Sequence, residues 1–258
     1  MPTGFLKRYP MRYLVFSDIH SNFEAFEKFL AHKKLKNVDR ILFLGDLVGY
    51  GPDPDQVIAQ FKELPHVRSV RGNHDKVIAD LESSSLFNPA AAFSAEWSKL
   101  KISPPNYQFL KKLPKGPQII DRFITICHGS TFDEDYYVFS QFEASESFKF
   151  METSIGFFGH THFPIIYYLR NEKLDIVPLT ENTRIKLDAN TRYLINPGSI
   201  GQPRDKNPAS SFIIFDSGKM EISFNRFSYD VTKTQKKIRE AGLPELLASR
   251  LEAGVRPK

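Results

Sequence analysis

Seven histidines occur in this chain: His20, His32, His66, His74, His128, His160 and His162. Five of them stand beside Asp, Asn or Gly in short blocks: Asp18-Ile19-His20, Gly72-Asn73-His74-Asp75, His128-Gly129 and Gly159-His160-Thr161-His162. A further block, Gly45-Asp46, carries a carboxylate alone. Singly, each has an ordinary explanation. Asp18 reads as a helix cap with a polar loop histidine, Gly45-Asp46 as a turn, Asn73-His74-Asp75 as a turn with a cap, and His128 as a satisfied histidine at a strand end. His160 and His162 say more, because alternate positions on an extended segment point the same way. Together the blocks point to metal chemistry. Carboxylate, amide oxygen and imidazole donors suit Mn, Fe or Zn rather than soft thiolate chemistry. Two metals about 3.5–4 Å apart need a bridging carboxylate and further ligands from several loops. Asp46, ending a central strand, is the natural bridge.

The elements that must position these blocks are legible from apolar runs. Tyr13-Leu14-Val15-Phe16 and Ile41-Leu42-Phe43-Leu44 read as buried strands, each ending at a block. Between them, Asn22 to Leu35 has phenylalanines at helical spacing, with Ser21 or Asn22 as cap. Strand, helix, strand in that order predicts a parallel pair with a right-handed crossover. Asp55 to Leu64 reads as a helix, Val67 to Val70 as a strand, and Lys76 to Leu113 as helical with breaks at Asn88-Pro89 and Ser103-Pro104-Pro105. Two strands follow, Gln118 to Ile120 and Arg122 to Cys127. Then come a helix over Ser140 to Thr153 and a strand over Ile155 to Phe158. Ile165 to Leu169, Lys173 to Val177, Arg192 to Ile195, Ser211 to Phe215 and Glu221 to Phe224 read as strands, the later ones antiparallel. Pro244 to Leu251 reads as a terminal helix. Every block thus follows a strand, where open α/β sheets bind ligands.

Bulk properties set the frame. The chain has 258 residues, 41% hydrophobic and 25% charged, which suits a globular domain with a sizeable core. Its 35 basic and 30 acidic residues leave a net charge of +5, which could attract phosphate-bearing substrates but gives little support to nucleic acid. Lys33, Lys34 and Lys36, and Lys111, Lys112 and Lys115, read as solvated surface. The one cysteine, Cys127, excludes an intrachain disulfide framework and fits a strand core. Met1 to Pro10 has no apolar core followed by a cleavage site, and no apolar run reaches the ~18 residues of a membrane span. The expected address is the cytoplasm. No repeat or low-complexity linker appears.

The ordered set D-x-H, G-D, G-N-H-[DE], H, G-H-x-H resembles the calcineurin-like metallophosphoesterase superfamily, matched block by block from Asp18 to His162. Gly49-Tyr50-Gly51-Pro52-Asp53-Pro54 and Asn196-Pro197-Gly198-Ser199-Ile200-Gly201-Gln202-Pro203-Arg204 resemble its small prokaryotic phosphodiesterase branch. The resemblance implies one α/β domain over residues 1–258, a four-layer sandwich of two mixed β-sheets flanked by helices, with a helical cap-like insert at about 76–113. It implies one metal held by Asp18, His20, Asp46 and His162 and another held by Asp46, Asn73, His128 and His160. His74 would face the substrate phosphate and assist the leaving group, and Asp75 would orient His74. The implied activity is hydrolysis of phosphate esters, phosphodiesters first, by attack of a metal-bridging hydroxide. The implied cofactors are two divalent ions (Mn, Fe, Zn, Ni or Co), with manganese first.

Asn22, Tyr50 and Arg204 are further substrate candidates. Asn22 contacts phosphate or caps a helix; Tyr50 stacks on a base or aryl ester, or packs on its own loop; Arg204 binds phosphate or anchors its loop. Trp97, Phe87 and Phe93 read as packing. The competing functions are a phosphomonoesterase or protein phosphatase, a dinucleotide polyphosphate hydrolase, a nuclease, and a non-catalytic scaffold; the intact ligand set argues against the last. A homodimer is the ordinary expectation for an oligomer.

Overall fold

The computed structural model of the chain describes residues 10–255; most of the N-terminal stretch read above for a secretory signal lies outside the described residues. Two six-stranded mixed sheets stack on each other. The first is built from β1 (Arg12–Phe16), β2 (Arg40–Phe43), β3 (Val67–Ser69), β9 (Thr183–Lys186), β11 (Ser210–Asp216) and β12 (Glu221–Phe227), in the order β3-β2-β1-β11-β12-β9. The second holds β4 (Gln118–Ile120), β5 (Ile124–Ile126), β6 (Ile155–Phe157), β7 (Ile165–Arg170), β8 (Lys173–Pro178) and β10 (Arg192–Asn196), in the order β4-β5-β6-β10-β7-β8. The strands that end at the histidine and aspartate blocks are parallel within each sheet: β1, β2 and β3 in one, β5 and β6 in the other. The remaining pairings are antiparallel, except for β10 beside β6.

Side-chain alternation along the strands produces the layers. Tyr13 and Val15 of β1, Ile213 and Phe215 of β11, and Ile155 and Phe157 of β6 meet between the sheets. Their neighbours Leu14, Phe16, Phe212 and Ile214 face α1 (Phe23–Leu30) and α2 (Pro54–Lys62). On the far face of the second sheet, Tyr167 and Leu194 pack on Ala144 and Phe148 of α6 (Gln141–Phe150). The order helix, sheet, sheet, helix is the four-layer arrangement expected. Burial of apolar area at about 25 cal/mol per Å² on three faces is its main driving force.

Several boundaries differ from the sequence reading. The first helix stops at Leu30, and a separate 3-10 turn covers Lys33–Leu35. The stretch from 76 to 113 contains most of α3 (Asn73–Ile78), a 3-10 turn at Ser84–Leu86, α4 (Pro89–Lys99) and α5 (Pro104–Lys111), broken at the prolines as expected. β9 and α7 (Val231–Glu240) were not expected. α7 escapes a periodicity search because its buried stripe includes Thr234 and Gln235. Asp230, whose side chain accepts from the Lys233 N–H, is the cap that marks its start. α8 (Glu245–Ala253) packs on α7 and closes the chain. Among the described residues, no helix is long and apolar enough to cross a membrane.

Candidate metal centre

Where each parallel strand ends, the backbone turns sharply. Asp18, His20, Asp46, His160 and His162 all adopt positive φ, between 49° and 64°. Left-handed backbone is uncommon outside glycine, and Asp and His are among the residues that tolerate it best. Gly45 makes the turn after β2 at φ 98°, and Gly72 lets the chain pass so close to the Asp46 carboxylate that a Cβ there would collide with it. The turns gather loops from both sheets at one end of the sandwich.

Two donor groups result. Asp18, His20, Asp46 and His162 place ligand atoms within 4.8 Å of one another, and so do Asp46, His128 and His160. Asp46 belongs to both. Its Oδ2 lies 3.5 Å from His20 Nε2 and 3.4 Å from His128 Nε2. Asp18 Oδ1 is 3.3 Å from His162 Nε2, and Asn73 Oδ1 is 3.2 Å from His128 Nε2. The residues expected to bind metal are therefore brought together in the two sets that the sequence suggested.

Backbone carbonyls determine which imidazole nitrogens face this centre. Nδ1 of His20 meets the Val48 carbonyl at 3.1 Å, Nδ1 of His128 meets Leu44 at 2.8 Å, and Nδ1 of His162 meets Gln202 at 2.6 Å. A carbonyl only accepts, so each Nδ1 carries the hydrogen and each Nε2 presents a lone pair inward when the ring is neutral. His20 and His162 then point Nε2 atoms at each other across 3.1 Å. Asp18 Oδ1 and His160 Nε2 are buried without a hydrogen-bond partner. Converging buried lone pairs are costly unless a cation lies among them, so the residues fit a pair of divalent ions.

The electrostatics agree. Burial holds His20, His160 and His162 well below the usual imidazole pKa, so they are neutral donors. Burial also acts against the charged form of Asp46, yet His128, His74 and His20 keep its pKa well below the carboxylate range. His128 is the counterpart: burial disfavours its charge, but Asp46 and Asp18 raise it to about 10. Burial and the neighbouring Asp46 push Asp18 up to about 7, with His128 opposing.

The remaining candidates divide. His74 lines a cavity of about 430 Å³ beside the centre, together with Asn73 and His160. Its orientation does not come from Asp75, as the sequence reading expected. The Asp75 carboxylate instead accepts from the backbone N–H groups of Asp46, Leu47, Val48 and Gly72 at 2.9–3.2 Å, and His74 Nδ1 has no partner. Asp75 thus anchors the Asp46 loop to the start of α3, and packing holds His74. Gly49 lies against Nδ1, and Tyr50, Phe87 and His20 surround the ring at centroid distances of 4.3, 4.5 and 4.9 Å.

Asn22 is a helix cap. Its Oδ1 accepts from the Ala25 N–H at 3.1 Å, and its Nδ2 donates to the Gly201 carbonyl at 2.8 Å and to Tyr229, leaving the amide committed. Tyr50 is only 6% exposed and packs on His20 and His74, so its ring supports these histidines, and it also lines the cavity beside His74. Arg204 is 5% exposed, donates to Gln202 Oε1 at 2.9 Å and lies 5.9 Å from the Tyr50 ring. That is the loop-anchoring alternative.

Sequence reasoning missed three contributors. Arg250, from α8, is 2% exposed and sits 4.2 Å from the Tyr50 ring centroid; among the described residues its nitrogens have no partner other than the Tyr50 side chain, and burial lowers its pKa to about 9, with Tyr50 opposing. Tyr137 stacks on His160 at 3.7 Å. Phe87, read as packing, covers His74. None belongs to a block; Arg250 lies on the terminal helix expected over Pro244 to Leu251, but nothing in the sequence placed that helix against Tyr50. The segment Asn196 to Arg204, noted for its resemblance alone, has a definite job. Ser199 Oγ donates to the Asp18 carbonyl at 2.8 Å, Asn196 Nδ2 to the Gly159 carbonyl at 2.7 Å, and the Gly201 N–H to Asp18 at 2.9 Å. It ties the β1 loop to the β6 loop.

Comparison with known proteins bears on all of this. A family model described as the calcineurin-like phosphoesterase superfamily domain matches residues 11–220. An uncharacterized protein of Methanocaldococcus jannaschii is 35% identical over 247 residues, 93% of this chain and 97% of that protein. The crystal structure of a metallophosphoesterase from Sphaerobacter thermophilus is similar with a TM-score of 0.83 and 36% identity, covering 96% of this chain and all of that one. A hypothetical protein from Pyrococcus horikoshii shares the fold, with a TM-score of 0.74 at 19% identity over 95% of this chain and 99% of its own.

Proposed function

The chain belongs to the calcineurin-like phosphoesterase superfamily, and from that premise we propose that it hydrolyses phosphodiesters at a centre of two divalent transition-metal ions. The observation that carries this reading is Asp46, whose Oδ2 lies about equally far from His20 Nε2 and His128 Nε2, 3.5 and 3.4 Å. Asp18, His20 and His162 complete one ligand set on this reading; Asn73, His128 and His160 complete the other. Bound there, two cations neutralise phosphate oxygens and supply a water activated near neutral pH.

The protein's own groups do the rest. The carbonyls of Leu44, Val48 and Gln202 fix the histidine tautomers, and Asp75 holds the Asp46 loop through four backbone hydrogen bonds. His74 sits on the cavity side and donates a proton to the leaving oxygen from Nε2, the nitrogen away from Gly49. Burial lowers its pKa to about 4, with Asp46 opposing and Arg204, His128 and Arg250 adding to the fall; the negative charge of a bound phosphate ester would act in the other direction and favour the protonated ring. The helical segment 76–113 acts as a cap over the cavity, to which it contributes Phe87, Leu86 and Ala91. The space beside His74 accommodates the second organic group that a diester carries and a monoester lacks. Imidazole and carboxylate donors accept Mn, Fe, Zn, Ni or Co, with manganese our first choice. A buried, reduced Cys127 suits a cytoplasmic setting.

The test is hydrolysis of bis-p-nitrophenyl phosphate and p-nitrophenyl phosphate by protein reconstituted with each metal, with Asp46→Asn as the blank. The diester is expected to be the better substrate. Equal turnover by the blank would remove the metal assignment, and faster monoester turnover would remove the diester preference.

A further inference from the structure

We propose that the cavity beside the centre is a binding site for a planar aromatic group on the phosphate ester, with Phe87 and Tyr137 as the residues that select it. The inference rests on the phosphoesterase reading for the position of the phosphate and on the cavity itself for the rest. The cavity measures about 430 Å³, within the ~300–1,000 Å³ typical of small-ligand sites. Asn73, His74 and His160 tie it to the candidate centre, and Leu86, Phe87 and Tyr137 add apolar and aromatic lining from two distant segments. Each aromatic ring is seated on a histidine of the centre: Phe87 on His74 at 4.5 Å and Tyr137 on His160 at 3.7 Å. A ring entering beside the phosphate therefore meets Phe87 next to His74 and Tyr137 next to His160, the Tyr137 ring backed also by Phe139 at 5.0 Å.

The walls are held in place. Arg71 makes two hydrogen bonds to Glu134, at 2.9 and 3.2 Å, and buried Lys76 pairs with Glu82, Glu134 and Asp135. These contacts bind the loop that carries Tyr137 to α3, which carries His74. On the other side Asn88 caps α4 by accepting from the Ala91 N–H at 3.0 Å, directly after Phe87. Leu86 stands at the rim, 89% exposed. Pre-ordered aromatic walls reduce the cost of ordering on binding. Stacking is tolerant of ring identity, so both nucleobases and simple aryl groups match this chemistry.

Phenylphosphonate and methylphosphonate share a head group that has no ester bond to hydrolyse, so their binding to metal-loaded protein can be measured by calorimetry without turnover. Phenylphosphonate is expected to bind about tenfold more tightly. Phe87→Leu and Tyr137→Leu, which keep bulk and lose the ring, are expected to cut that ratio severalfold, while Phe87→Tyr and Tyr137→Phe keep it. Adenosine displacing phenylphosphonate would assign a nucleobase, and failure to displace would assign a simple aryl group. Equal affinity of the two phosphonates, or Leu variants that weaken both alike, would overturn the proposal. Failure of the diesterase reading is seen separately, as no turnover of bis-p-nitrophenyl phosphate alongside an intact phenylphosphonate preference.

Discussion

At the base of the cavity the donors follow strands directly, Asn73 at the first turn of α3, and backbone carbonyls fix three of the four histidine rings. At its rim, Phe87 follows a 3-10 turn and Tyr137 lies on a long loop, while Arg250 of the terminal helix is buried behind Tyr50, and all three are held by packing and ion pairs. The base is rigid because its geometry belongs to the two sheets. The rim depends on contacts between segments far apart in the chain. The base can thus stay constant while the rim changes, which separates the chemistry from the choice of substrate.

Breaking the base should have the largest effect. Asp46→Asn is expected to lower metal-dependent turnover about a thousandfold or more, because it removes the one charge shared by both ligand sets. Kinetics with elemental analysis of bound metal checks it. His74→Ala is expected to lower turnover by about 10²–10⁴ with metal content unchanged. Loss of metal would move His74 into the base. Chelation should destabilise the fold. At metal concentrations near 100 times the dissociation constant the loss is about 2.7 kcal/mol, or roughly 5–10 °C in a thermal melt. An unchanged melting temperature would show that the donor cluster holds no ion.

A variant behind the cavity sharpens the contrast. Arg250→Met removes a buried guanidinium whose neighbour is Tyr50 and is expected to keep or raise stability, by up to about 1–2 kcal/mol, while turnover falls severalfold as Tyr50 loosens beneath His74. A lower melting temperature would mean that the arginine is a structural prop.

The smallest effect lies away from both regions. Lys237 and Lys233 reach Glu24 at 3.0 and 3.2 Å. Burial acts against the Glu24 carboxylate, but these lysines hold its pKa below the ordinary 4.5. A depressed carboxylate contributes stability above its unfolded pKa and loses it as the pH falls through the folded value. Glu24→Gln should therefore cost a little stability at pH 7 and less at pH 3. Equal destabilisation at both would assign the loss to packing.

The same contrast explains what the amino-acid sequence disclosed. Asp18, His20, Asp46, Asn73, His128, His160 and His162 were readable because strand-end chemistry is local: a β-rich run, a turn and a donor follow one another within a few residues. The four layers were readable for a related reason, since Tyr13-Leu14-Val15-Phe16 fills two cores by alternation. Asp75 was misread because a carboxylate beside a histidine invites pairing, whereas the turn at Asp46 offers it four N–H groups. Tyr50 stayed between stacking on a ligand and packing on its own loop because nothing near it in the chain announces the guanidinium 200 residues later. α7 was hidden by a buried stripe built partly from Thr234 and Gln235 rather than from hydrophobic residues.

The clamp made by Asn196 to Arg204 also bears on how the chain reaches its working form during synthesis. His162, the last candidate ligand to be made, is oriented by Gln202, which emerges 40 residues later. At about 5–20 residues per second that is a delay of roughly 2–8 s. During it β1 lacks its neighbour β11 as well, so one flank of the first sheet presents unpaired backbone groups. The newborn protein is exposed to edge-to-edge association in that interval, and the His162 ring waits for the carbonyl that orients it. The donor cluster is therefore complete in its orienting contacts only after the Gln202 segment has been made.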